Sequence, residues 1–166
     1  MKKIFFVSIL TMIFSAVTFG QTDDKKAALD VVNKLFAEMR AANAAGILAT
    51  GTAENQLVAI RKLKDGKSRV DVINGEAFTK FFTKADAVEE VMYAPNVEVS
   101  GDWAMVWGRY VFFVGDKISH CGINQFNLVR TDAGWKIANG ASTMNPADCS
   151  EKEKAMKSSL PKATQE

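Results

Sequence analysis

Apolar positions along this chain follow two periods. Leu29, Val32, Phe36 and Met39 recur at three- and four-residue steps. With Leu35 they form one stripe, which predicts a helix over about residues 22–42. Thr22 is placed to cap it, with Asp23 and Asp24 near its positive end. Asn43 predicts the cap of a short second helix reaching Leu48, and Gly51 ends it. Beyond Gly51 the period changes to two. "NQLVAIRKL" and "SRVDVIN" flank Lys64-Asp65-Gly66-Lys67. Asp-Gly between two alternating runs predicts a hairpin, because the turn needs positive φ. Asn74 is placed to cap a third helix, "EAFTKFF", with Phe78, Phe81 and Phe82 on one face. Four longer strand-like runs follow, at about residues 87–99, 103–114, 117–130 and 135–143. The links between them are short, so neighbours should pair antiparallel. Pro95 inside the first run requires an edge or a bulge there. Three helices and a hairpin packed on one side of a curved antiparallel sheet make an α+β domain.

The turns predict which side chains share a face. A tight turn at Gly115-Asp116 sets Val111 opposite His120, Arg109 opposite Gly122, and Trp107 opposite Asn124. The next turn sets Phe126 opposite Asn139. One face then carries Trp103, Met105, Trp107, Phe126, Leu128, Trp135 and Ile137 at its apolar end. Arg109, His120, Asn124, Asn139 and Thr143 gather at its other end, as expected of a half-open pocket. Ser119, Cys121, Gln125, Asn127, Lys136 and Ser142 fall on the opposite face. The whole assignment depends on register, since a slip of one residue exchanges the faces.

The N-terminus changes the picture of compartment. "MKKIFFVSILTMIFSAVTFGQ" has a basic start, an uncharged apolar run too short for a comfortable span, and small residues before Gln21. It reads as a secretory signal over residues 1–20, with a retained anchor as the alternative. Loss of Lys2 and Lys3 from the 21 basic residues leaves 19 against 19 acidic ones. A chain without excess positive charge lacks the footprint of a nucleic-acid binder. No later stretch is apolar enough to cross a membrane, so a periplasmic or secreted protein is expected. Two cysteines in an oxidising compartment favour a Cys121–Cys149 disulfide over two separate thiols. One histidine and two cysteines offer too few ligands for a metal site, and no cofactor motif is present. Residues 150–166 are polar and charged, and read as a loose tail after a domain spanning 21–149.

"VMYAPNVEVSGDWAMVWGRYVFF" and "KISHCGINQFNLVRTDAGWKIA" carry a resemblance. The Trp103–Trp107 pattern, His120-Cys121-Gly122, Phe126-x-Leu128-Val129-Arg130 and Gly134-Trp135-Lys136-Ile137 look like the cone-shaped, nuclear-transport-factor-2-like (NTF2-like) fold. They are most similar to its SnoaL-like and "lumazine-binding" bacterial groups. The resemblance covers about half of the chain that would follow the signal. It implies a curved sheet around a deep pocket and a homodimer formed through the sheet. It implies no single activity, because this fold hosts isomerases, dehydratases, cyclases, binding proteins and interaction modules. Relatives often carry Asp two residues after the His-Cys-Gly element. Here that position is Asn124, which cannot act as a general base.

His120 is the candidate acid, base or hydrogen-bond donor, since its ordinary pKa suits proton transfer near neutrality. A histidine tied into the fold is the alternative. Arg109 is a candidate anchor for a carboxylate or phosphate, or else a rim ion pair. Trp107 is the stacking candidate, and Asn124 and Asn139 complete the expected ligand-binding wall. Ser119, expected on the far face, gives no Ser–His pair. The expected function is binding of a small, partly apolar molecule. An isomerase or dehydratase using His120 is the alternative, and a dimerising interaction module the third reading.

Overall fold

The computed structural model describes residues 16–83 and 87–159. Most of the expected leader, residues 1–15, lies outside the described residues. The first helix, α1 (Ala16–Arg40), begins before Thr22, so Thr22 sits inside it and is not its cap. No proline lies between Ala16 and Thr22 to stop the helix. The apolar stripe behaves as its spacing requires. Ala28, Val32, Leu35, Phe36 and Met39 pack on Ala104, Val106, Phe126, Leu128, Trp135 and Ile137 of the sheet.

Two short helices follow, each capped by asparagine. In α2 (Ala44–Thr50) the Asn43 side chain accepts from the Gly46 amide, and Gly51 closes the C-terminal end. In α3 (Gly75–Thr79) the Asn74 side chain accepts from the Ala77 amide. This helix stops at Thr79, so Phe81 and Phe82 of the expected longer helix lie beyond it. The hairpin β1 (Gly51–Lys62) and β2 (Ser68–Asn74) turns through Gly66 at φ 83°.

The remaining strands are β3 (Val88–Ser100), β4 (Trp103–Val114), β5 (Lys117–Thr131) and β6 (Gly134–Met144). All six form one curved, unclosed sheet in the order β2-β1-β6-β5-β4-β3. The hairpin is part of this sheet rather than a layer on it, because β1 pairs parallel with β6. The sheet is therefore mixed, where a purely antiparallel one was expected. Pro95 sits at a bulge on the edge strand β3, where Ala94 takes φ 47°.

Two bulges decide the faces. Next to the Gly115-Asp116 turn, Ile118 opposes Phe113. One residue is then extra, and His120 opposes Phe112 rather than Val111. A second bulge in β6 sets Phe126 opposite Gly140, and Asn127 opposite Asn139. The expected register therefore holds only at the turns and is off by one beyond them. On β4 every side chain changes face. Ala104, Val106, Tyr110 and Phe112 look toward the helices, while Trp103, Met105, Trp107 and Arg109 look away.

The outer face carries a strap built from the C-terminal segment. Cys149 is bonded to Cys121, with Cα atoms 5.2 Å apart. Ser150 caps α4 (Glu151–Lys154) in a capping box with Glu153. Glu153 is 0% exposed. Its carboxylate accepts from Arg109 Nε at 2.7 Å and Nη2 at 2.9 Å, from the Tyr93 hydroxyl at 2.7 Å, and from the Ser150 amide at 2.6 Å. Burial alone would raise its pKa, but these donors outweigh it and hold the carboxyl at about 2. Further along, Ser158 and Ser159 bond to buried Glu89, which also accepts from Arg40 at 2.6 Å. Residues 150–159, expected to be loose, are docked because a buried carboxylate needs these partners.

Reducing the disulfide should lower the free energy of unfolding by about 3–4 kcal/mol. Glu153→Ala should cost about 2 kcal/mol at pH 7, since four donor groups on three residues lose a charged acceptor. The carboxyl's lowered pKa contributes stability above the ordinary carboxylate range and loses it as pH falls toward 2. The Glu153→Ala penalty should therefore shrink at pH 3. Urea titrations at the two pH values measure both effects; an unchanged midpoint at pH 7 would mean that the strap adds no stability.

Candidate functional site

A half-open cavity of about 350 Å³ lies between the inner face of the sheet, α1 and α3. Its walls are mostly apolar: Leu35, Phe36 and Met39 from α1, with Leu57, Phe112 and Phe126 from the sheet. Phe78, Phe81 and Phe82 close one side, and Phe81 is 56% exposed at the mouth. Such a space suits a small ligand with an apolar body.

The polar groups concentrate at one part of the wall. His120 comes from β5 and is 7% exposed. Its ring stacks on Phe112 at 4.9 Å and meets the Tyr110 ring edge-on at 5.7 Å. The bulge beside it brings Ser119 to the same wall, with Oγ 3.1 Å from His120 Nδ1. The expectation that Ser119 faces away is thus corrected. Nε2 of His120 is buried and has no hydrogen-bond partner among the described residues. Burial first, and the nearby Arg61 charge second, lower the His120 pKa to about 4. The ring is neutral at pH 7, and its tautomer decides whether Nε2 donates or accepts.

Asn124 faces the same interior. Its amide donates to Glu90 Oε1, and its carbonyl oxygen accepts from Ser142 Oγ at 2.6 Å. Glu90 is half-buried and lines the cavity. Burial pushes its carboxyl up to about 7, against the pull of the Asn124 amide. A carboxyl from β3 thus meets the Asn124 amide across the sheet. Tyr110 donates from its hydroxyl to the Thr143 carbonyl at 3.0 Å. Burial, reinforced by the Glu90 charge, raises its phenol well above the ordinary value. Gly122 makes this close approach possible, since a Cβ there would lie 1.8 Å from the Thr143 oxygen.

Of the expected ligand wall, only His120 and Asn124 are on the inner side. Trp107 is 39% exposed on the outer face. Arg109 is held by Glu153 under the strap, and Asn139 pairs with Asn127 outside. The bulges exchange their faces. Cys121, next to His120, points outward to Cys149 as its alternation requires. Glu90, Tyr110, Arg61, Ser119 and Ser142 were not selected from the sequence. The signal for Glu90 was present, as two adjacent carboxyls in the otherwise apolar "AVEEVMY". On a strand one of the two must point inward. Among the described residues no group of three His, Cys, Asp or Glu side chains is placed to hold a metal ion.

His120 is the only histidine, so one NMR signal reports on it. Its apparent pKa should be about 4 in the folded protein and near 6.5 in denaturant. Because the folded pKa is depressed, stability is lost as pH falls from 6.5 toward 4. A folded-state value near 6.5 would place the ring in open water.

No family model and no curated protein matches this chain. Solved structures do. An NTF2-like protein with a cystatin-like fold from Novosphingobium aromaticivorans aligns at TM-score 0.64 with 14% identity, over 84% of this chain and 92% of that one. A candidate dehydratase of the NTF2-like family from Streptomyces avermitilis aligns at 0.58 with 13% identity, over 75% and 97%. A candidate calcium/calmodulin-dependent protein kinase II association domain from Xanthomonas campestris aligns at 0.54 with 18% identity, over 71% and 85%. These likenesses show the fold: six curved strands with N-terminal helices, in the NTF2-like arrangement expected from the sequence.

Proposed function

We propose that this protein is exported and binds a small, partly apolar molecule in the cavity of a cone-shaped NTF2-like domain. One observation carries the reading: a half-open cavity with aromatic walls has Glu90, Ser119, His120 and Ser142 among its lining, with Asn124 bonded behind Glu90 and Ser142. A filled core would bring such groups into mutual hydrogen bonds, yet His120 Nε2 stays unpartnered. The disulfide fits an oxidising compartment. The outer face, with Trp107, Ile123, Val70 and Val72 exposed, suits a homodimer formed through the sheet.

The second reading, an isomerase- or dehydratase-type enzyme, has its own observation. A carboxyl held at about 7 can give or take a proton near neutrality, and Glu90 is such a group in a mostly apolar cavity. His120 then serves as a neutral hydrogen-bonding partner rather than as the base.

Nile red, a neutral apolar dye, should bind the wild-type protein with enhanced fluorescence. Ala59→Phe fills the cavity from β1 and should reduce that binding at least tenfold while the circular dichroism stays native. Equal dye binding by the variant would place the ligand elsewhere. For the export step, N-terminal sequencing of protein from its native host should begin at Gln21; a chain beginning at Met1 would contradict cleavage.

A further inference from the structure

Among the described residues one fixed cation lines the cavity. Arg61, on β1, points its charge into the same space as the phenylalanines, half-exposed toward the mouth. Its Nε donates to Asp71 Oδ2 at 3.2 Å. Arg69 donates to that same oxygen, from Nε at 3.0 Å and with Nη2 at 2.9 Å. One carboxylate is thus shared by two guanidiniums, and the group carries one positive charge in excess. Asp71 does not escape by protonation, since Arg69 first and Arg61 after it lower its pKa. Among the described residues the two terminal nitrogens of Arg61 make no hydrogen bond.

Among the described residues no fixed anion in the cavity answers that charge. The other titratable groups described on the wall are Glu90, Tyr110 and His120. The tyrosine and the histidine are neutral at pH 7, and burial favours the protonated form of Glu90 up to about that pH. A free guanidinium edge offers two parallel N–H groups, which match the two oxygens of a carboxylate. Sulfonate or phosphate would also meet the charge, but the flat two-oxygen fit favours carboxylate. The rest of the wall is aromatic and aliphatic, and 350 Å³ is at the small end of ligand sites.

Resting on the reading of the cavity as a binding site, we infer that its ligand is a small amphipathic monocarboxylic acid, its apolar tail among Phe36, Phe78, Phe112 and Phe126 and its carboxylate on Arg61. The anion anchor sought at Arg109 is therefore at Arg61, on the face that Arg109 does not reach.

Calorimetric titrations with decanoate and with 1-decanol at pH 6 test the inference on the purified chain. Decanoate should bind at least tenfold more tightly than decanol. Arg61→Met should remove that preference and leave decanol unchanged. Asp71→Asn, which keeps Arg61 and removes its partner's charge, should strengthen decanoate several-fold without affecting decanol. Equal binding of acid and alcohol by the wild-type protein would overturn the inference while leaving the binding cavity intact. So would an unchanged preference in Arg61→Met, or a weaker one in Asp71→Asn. Failure of Nile red, decanoate and decanol together would remove the cavity reading, and this inference with it.

Discussion

The cavity depends on a single extra residue at the start of β5. Without the bulge at Ser119, the β4–β5 register set by the Gly115-Asp116 turn would run unbroken to Trp103. Trp103, Trp107 and Arg109 would then face α1, and Ala104, Val106 and Tyr110 would face water. The helix stripe of Val32, Leu35 and Phe36 packs closely on Ala104 and Val106, whose small side chains admit it. Three bulky side chains in their place would not fit, and an arginine there would meet Val32, Leu35 and Phe36, which offer it no partner. The bulge also brings two consecutive residues, Ser119 and His120, to one wall, which an unbroken strand cannot do. Register, packing and the placement of the only histidine are one constraint.

Two adjacent carboxyls show how strongly the faces differ. Glu89 points outward and is buried among Arg40, Ser158 and Ser159, which together outweigh its desolvation and lower its pKa. Glu90 points inward, has a single amide donor, and is pushed the other way. Neighbours in sequence thus hold opposite roles. One is an ionised anchor for the strap, and the other is a carboxyl able to change charge near neutrality. The difference lies in the number of donors each carboxyl meets, since both are desolvated.

The elements themselves were legible in the sequence. Asparagine caps, Asp-Gly, Pro95 and the alternating runs each act through the backbone of a few residues, so local pattern is enough to place them. Apart from the start of β1, which lies four residues before the expected Asn55, the strand ends agree to within a residue or two. The site was legible only in part, because it depends on register across strands. A bulge leaves no mark in hydropathy: "KISHCG" alternates no worse with Ser119 extra than without it. His120 and Asn124 lie on the inner side with Phe126 and Leu128, because all four alternate along β5 itself. Arg109 and Trp107 lie on the outer face, because the bulge shifts β4 by one residue against β5 beyond the turn. Arg61 was invisible for another reason: the parallel pairing of β1 with β6 joins residues far apart in the chain, and no local signal predicts it.

That pairing also sets an order of events as the chain is made. β1 and β2 are synthesised early, yet their only route into the sheet is β6, the last strand. Until β6 emerges, the hairpin can pair only with itself, and Arg61 has no cavity to line. β3, β4 and β5 can form a meander beforehand, through neighbours close in sequence. The long-range step therefore comes last and carries most of the loop-closure cost. A chain cut short before Gly134 keeps every cavity-lining strand except one, but it has nothing to join the two halves.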